Sequence, residues 1–132
     1  MTSTQEIVDI IEKALRPDES VRYAFLFGSA VSGLRRESDI DVLVGGDCDF
    51  DRRLTLSAAL STGLKRSVDL VPEKETRSQL VLKAMSQGIL IFTKDRKALK
   101  QDYLRHWRAC DDATTLTRMR IERIKREYGY GG

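Results

Sequence analysis

The stretch that decides the fold reads Asp39-Ile40-Asp41-Val42-Leu43-Val44 and is followed by Gly45-Gly46. Aliphatic and β-branched residues that end in a glycine pair are typical of a β-strand, so a strand is predicted over Asp39–Val44. Because side chains alternate across a strand, Asp39 and Asp41 share one face, with Ile40 and Val42 on the other. Two neighbouring carboxylates repel each other, and strands disfavour aspartate. The pair makes chemical sense if Mg²⁺, which prefers hard oxygen ligands, binds between them.

The sequence just upstream predicts a second strand and an anion site. Val21 to Phe27 is β-branched and aromatic, and it stops at Gly28-Ser29. A short helical turn is predicted over Ala30–Ser32. Glycine lets the backbone approach a phosphate, and amides at a helix N-terminus attract anions. A Gly-Ser pair alone is mostly just a turn, but beside a metal-binding pair it predicts a triphosphate site.

Asp69 is a third acid embedded in an apolar strand, predicted over Ser67–Val71. On a neighbouring strand it would either complete a metal site or deprotonate an attacking hydroxyl. For any single aspartate, a solvated carboxylate at a strand end is the usual explanation. Three acids within two apolar strands favour a functional site instead.

The elements further out complete the fold class. Ser3 and Glu6 have capping-box spacing before a helix that ends at Pro17, and Gly88 is well placed to cap the C-terminus of another helix. Helices are predicted over Arg52–Leu64 and Ser78–Gln87, and a fourth strand over Gly88–Phe92. Alternating helices and strands in 132 residues predict one α/β or α+β domain around a four-stranded sheet.

The C-terminal quarter is predicted to be helical and is basic. Apolar positions recur at steps of three and four from Asp95 to about Tyr128, which predicts one long amphipathic helix, or two with a break near Asp111-Asp112. We therefore expect a core over 1–93, a helical extension over 94–128 packed on the same domain, and a flexible tail over 129–132. Residues 94–127 hold 11 Lys and Arg against six Asp and Glu, whereas residues 1–93 hold 12 against 14. A solvated helix face explains this excess of positive charge better than nucleic-acid binding does. Binding of nucleic acid is therefore the less favoured alternative.

Several classes of protein are excluded by what the sequence lacks. Cys48 and Cys110 have neither zinc-site spacing nor the number needed for a disulfide framework, and no apolar run approaches the roughly 20 residues of a membrane span. A soluble, cytoplasmic protein is expected. His106 is the only histidine. Neither a histidine metal cluster nor a Ser-His-Asp triad is therefore expected. An ordinary core or interfacial histidine is predicted.

The combined motif resembles a known family. Phe25 to Ser29, nine residues between Ser29 and Asp39, and then Ser38 to Val44 resemble the signature of the polymerase-beta-like nucleotidyltransferase superfamily. Length and flanking sequence look most like the minimal nucleotidyltransferases (MNT), the antitoxin partners in HEPN–MNT modules. The spacer is one residue shorter than in many members of that branch.

The resemblance implies a minimal nucleotidyltransferase fold with a mixed four-stranded sheet flanked by helices and a long C-terminal helix. It also implies Mg²⁺-dependent transfer of AMP from ATP to a partner protein, in some members a tyrosine of the HEPN ribonuclease toxin. Carried over, Asp39 and Asp41 would ligate Mg²⁺, Gly28 and Ser29 would hold the β- and γ-phosphates, and Asp69 would be a ligand or general base. The chain lacks the Arg-to-His spacing that HEPN ribonucleases show, which favours the antitoxin half of such a pair.

The sequence leaves other functions open. An antitoxin could act by covering its toxin, with vestigial acids. A small-molecule nucleotidyltransferase, similar to those acting on aminoglycosides, would need an acceptor domain for which 132 residues leave little room unless a dimer supplies it. Arg35 and Arg36 could reach a triphosphate, although an exposed arginine pair is as often simply solvated. The acceptor, the number of AMP units, the base and the oligomeric state are not fixed by the sequence.

Overall fold

A computed structural model describes residues 3–28 and 39–110 of the chain. Its regular elements, in order, are α1 Thr4–Leu15, β1 Val21–Phe27, β2 Ile40–Gly46, α2 Phe50–Leu64, β3 Val68–Pro72, α3 Ser78–Gln87 and β4 Ile89–Thr93, with a 3-10 turn at Glu73–Glu75. A further helix, α4, covers residues 96–110, where the described part of the chain ends. The strands and helices predicted within these residues are confirmed, with bounds that differ by at most two residues. The turn expected over Ala30–Ser32 and the rest of the C-terminal helix lie outside the described residues.

The four strands form one mixed sheet in the order β3-β2-β1-β4. Strand β1 runs antiparallel to both β2 and β4, and β2 runs parallel to β3. The parallel pair requires a crossover, which α2 provides. This arrangement confirms the α+β class and the mixed four-stranded sheet of the minimal nucleotidyltransferase fold.

One face of the sheet is covered by α1 and α2. The N-terminus of α1 is capped as its sequence predicts, since the Ser3 hydroxyl accepts a hydrogen bond from the backbone N–H of Glu6 at 3.2 Å. The aspartate before α2, Asp49, does the same for Arg52 at 2.8 Å. The helices and this face of the sheet share a core that includes Ile7, Ile11, Leu15, Ala24, Leu26, Ile40, Val42, Leu60 and Val68.

The opposite face carries a smaller core under α3 and α4. Tyr23, Phe25 and Leu43 of the sheet pack with Val81 and Ala84 of α3, and Phe27, Val71, Met85 and Leu99 border this cluster. The Tyr23 ring lies directly over Gly45, where an added Cβ would come within 2.1 Å of the ring. The first glycine of the pair that closes β2 therefore serves the core as well as the strand end.

Helix α4 is attached to the sheet by a polar cluster around Glu73, which is 1% exposed. The imidazole of His106, itself 7% exposed, contacts the Glu73 carboxylate through Nε2 and the Ser78 hydroxyl through Nδ1, the latter at 2.7 Å. Arg105 forms ion pairs with both Glu73 and Asp102, and the Tyr23 hydroxyl donates to Asp102 at 3.0 Å. His106 is thus a core histidine, one of the two positions predicted for it. The expectation that the chain cannot form a serine–histidine–carboxylate arrangement is wrong, because a single histidine links Ser78 to Glu73.

Within the described residues, none of the helices combines the length and the apolar composition needed to cross a membrane.

Candidate active site

The site begins at the end of β1, where Gly28 adopts a left-handed backbone conformation with φ of +82°. Residues with a side chain rarely adopt this conformation, because Cβ approaches the backbone too closely. A Cβ built on Gly28 would lie only 2.8 Å from Oδ2 of Asp41. Glycine at this position therefore leaves room for the Asp41 carboxylate at the sheet's edge.

Strand register brings the predicted acids to the same corner. Phe27, the last residue of β1, is the partner of Asp41 on β2, and Asp41 is in turn the partner of Asp69 on β3. Asp39 lies immediately before β2 and two residues from Asp41, which matches the predicted alternation. Acids from two separate parts of the sequence are thereby placed at one corner of the sheet, where Asp41 lies beside Gly28.

The sheet behind the acids is fully packed. Ile40 and Val42, which flank Asp41, are 0% exposed and belong to the core under α1 and α2. Asp41 itself is half-buried, whereas Asp39 and Asp69 are exposed. The carboxylates thus project from a rigid support towards solvent, on the face opposite to the helices that bury Ile40 and Val42.

The electrostatics of the corner are unfavourable without a cation. Burial raises the pKa of Asp41 above its usual value, and the negative charges of Asp69 and Asp39 raise it further. Repulsion among carboxylates is what a divalent cation with hard oxygen ligands relieves. This donor set fits Mg²⁺, even though the side chains in the described residues nowhere gather three or more potential ligands into a ready metal cluster.

The remaining predicted contributors fall outside the described residues. Ser29 follows Gly28 directly, and Arg35 and Arg36 belong to the same segment, residues 29–38. The structure therefore brings together Gly28, Asp39, Asp41 and Asp69 and leaves the expectations for Ser29, Arg35 and Arg36 as predictions.

Two features of the structure were not anticipated from the sequence. The first is the polar cluster of Glu73 with His106, which joins residues 33 positions apart. The second is an apolar pocket between α3, α4 and the β1–β4 half of the sheet. The apolar spacing of the two helices predicts that they pack on the sheet, but the contacts between them depend on the tertiary structure.

Comparisons with known proteins agree with this geometry. The sequence profile of the family described as polymerase beta, nucleotidyltransferase matches residues 9–97, which is well over half of the chain. The protein therefore belongs to the polymerase beta nucleotidyltransferase family. A comparison with curated proteins finds no match.

Solved structures share the fold over nearly the whole chain. A chain from the crystal structure of a toxin–antitoxin with AMP-PNP has a TM-score of 0.73 at 23% identity, with 89% of this chain and 97% of that chain covered. A chain from a tri-AMPylated Shewanella oneidensis HEPN toxin in complex with MNT antitoxin has a TM-score of 0.71 at 21% identity, covering 92% and 98%. A chain from the toxin–antitoxin MntA–HepT has a TM-score of 0.69 at 21% identity, covering 91% and 97%. At these identities the likeness establishes a common fold.

Proposed function

We propose that this protein is a Mg²⁺-dependent nucleotidyltransferase that transfers AMP from ATP to a partner protein. In this proposal the acceptor is a tyrosine of a HEPN ribonuclease toxin, and the protein acts as the cytoplasmic antitoxin. The observation that carries the proposal is the strand register that places Asp41 between Gly28 and Asp69. Family membership supports the reaction type, and similarity to toxin–antitoxin chains supports the kind of partner.

Each residue of the corner has a role in this reaction. Gly28 and Ser29 hold the β- and γ-phosphates, because a glycine turn exposes backbone amides to an anion. Asp39 and Asp41 hold Mg²⁺, which neutralises charge on the triphosphate when bound. Asp69 serves either as a further ligand or as the base that accepts the proton of the attacking hydroxyl.

The transfer itself requires positioning rather than covalent participation by the protein. The acceptor oxygen attacks the α-phosphorus, its proton is released, and the bond from that phosphorus to the bridging oxygen breaks so that pyrophosphate leaves. The rigid sheet behind Asp41 fixes the carboxylate relative to the Gly28 turn. Fixed groups of this kind lower the barrier because they need no reorganisation during the reaction.

The test is transfer of label from α-labelled ATP, with Mg²⁺, to a HEPN protein encoded beside this chain. We expect Asp41→Asn to lower the rate roughly a hundredfold or more, the scale of losing one charge-stabilising group. Asp51→Asn is the matched control, because Asp51 is an exposed aspartate on α2, across the sheet. A wild-type protein that transfers no label, or an Asp41→Asn variant as active as wild type, would contradict the proposal.

The same variant separates the enzyme from a purely binding antitoxin. Cells that express the toxin should survive with the wild-type protein and die with Asp41→Asn. Equal protection by both proteins would assign the neutralisation to binding alone.

A further inference from the structure

An apolar pocket of about 400 Å³ lies on the acid-bearing side of the sheet, within the size range of ligand pockets, about 300–1,000 Å³. Phe25 of β1 forms its floor, and Met85 of α3, Leu90 of β4 and Leu99 of α4 surround it. The pocket opens to solvent, since Leu90 remains 43% exposed.

Two positively charged side chains lie at the mouth of this pocket. Arg96 and Lys100 both line it and are four residues apart on α4, so they share one face of the helix. Both side chains are exposed, and neither forms an ion pair or hydrogen bond with another residue in the described ranges. Among the described residues, no acidic side chain neutralises this positive rim. An apolar interior with such a rim selects an occupant that carries carboxylates beside an apolar side chain.

The apolar surface continues along α4 beyond the pocket. Tyr103 lines the pocket and is 38% exposed, and Trp107, one turn further, is 45% exposed. Aromatic residues at the centre with charged residues at the rim are the usual composition of a protein–protein contact. A nucleotide would instead need several donors converging on its phosphates, and the cations here are two side chains on one helix face.

The protein's own C-terminal segment is a poor occupant. Residues 111–132, which follow the described part of α4, contain five Lys and Arg against four Asp and Glu, a net charge of +1. Their net charge does not complement Arg96 and Lys100. The charge pattern thus points to a different molecule.

The pocket also lies on the same face of the sheet as the acid corner, although α4, which carries its cations, lies towards the opposite end of the sheet. Phe25 and Phe27 are on the same strand and face, and Phe27 is the register partner of Asp41. From Phe25 to Gly28 the strand covers three residues, or roughly 10 Å. A protein docked in the pocket would therefore have its neighbouring residues within reach of the site.

We infer that this pocket docks an acidic segment of the acceptor protein, with an apolar side chain inserted over Phe25 and its carboxylates against Arg96 and Lys100. This inference rests on the proposed function for the identity of the acceptor. The docking surface is separate from the reacting groups, so it controls recognition of the acceptor and leaves the chemistry at Asp41 unchanged.

Direct binding is tested with a fluorescent peptide in which two leucines are flanked by glutamates, and with a lysine-flanked counterpart. We expect the glutamate peptide to bind the full chain, and the double variant Arg96→Glu/Lys100→Glu to weaken it about tenfold. Lys97→Glu is the matched control, an exposed lysine on the same helix that does not line the pocket, and it should change affinity less than about twofold. Equal binding of both peptides, or equal loss in the control, overturns the inference.

Transfer kinetics provide the second readout. The double variant should raise the KM for the acceptor protein about tenfold with kcat unchanged, as expected for a lost docking contact. Competition of ATP with the peptide would assign the pocket to nucleotide, and self-association abolished by the double variant would assign it to a second copy; either result overturns the inference. Because peptide binding needs no transfer activity, failure of the proposed function leaves this test intact.

Discussion

Gly28 illustrates how much a single missing side chain contributes to the site. Its sequence context predicts a turn that exposes amides to phosphate, which concerns the backbone alone. The structure adds a second requirement, because the space beside its Cα is filled by the Asp41 carboxylate, 2.8 Å from where a Cβ would be. The proposed phosphate site and the proposed metal site therefore meet at this one residue.

The coupling predicts that Gly28→Ala damages activity more than stability. A side chain at φ of +82° costs about 1 kcal/mol, and the clashing atom is the end of a movable side chain, so the fold should tolerate the change. Displacing the Asp41 carboxylate should lower transfer roughly a hundredfold, the effect of about 1 Å of misplacement. The measurements are urea unfolding and initial transfer rates. A Gly28→Ala variant with the wild-type transfer rate would show that the space beside Gly28 is not needed to position Asp41 for activity.

At the scale of elements, the bounds of strands and helices were predictable, and the residue that caps a helix less so. The run from Val21 to Phe27 carries its own β-branched and aromatic pattern, and the strand has those bounds. The predicted end of α2, Leu64, is confirmed, but Gly63, the residue type that usually follows a helix, lies inside it. Lys65 takes the left-handed cap instead, with φ of 55°. Packing of Leu64 into the core extends the helix past the glycine.

Because a glycine lies inside α2 and a lysine takes its left-handed cap, substitutions at these two positions should stabilise the helix. Gly63→Ala should raise the free energy of unfolding by about 0.5–1 kcal/mol, because alanine is the better helix former and nothing lies within 4 Å of the added Cβ. Lys65→Gly should add a similar amount at the left-handed cap. Thermal or urea unfolding measures both, and transfer activity should remain at the wild-type level. A loss of stability in Gly63→Ala would mean that α2 ends before Gly63 in solution.

At the scale of the whole molecule, the sequence predicts which residues are buried better than which distant residues meet. The pairing of Asp41 with Asp69 could be proposed because both interrupt apolar strands. The meeting of Glu73 with His106 could not, since Glu73 belongs to no apolar pattern that marks it as buried. The cluster lies at the end of β3, whereas Asp69 lies near its start, so α4 is held at the end of the sheet opposite the acids.

Glu73 is therefore expected to hold α4 on the sheet. Its carboxylate is the shared partner of Arg105 and His106, so Glu73→Ala removes the acceptor from both and should cost about 3 kcal/mol. Glu75→Ala, two residues further in the same turn, removes only the surface ion pair with Arg53 and should cost less than about 1 kcal/mol. Urea unfolding compares the two, and hydrogen exchange should rise over residues 96–110 in Glu73→Ala alone. Similar losses in both variants would mean that the apolar contacts of Leu99, rather than the buried carboxylate, attach the helix.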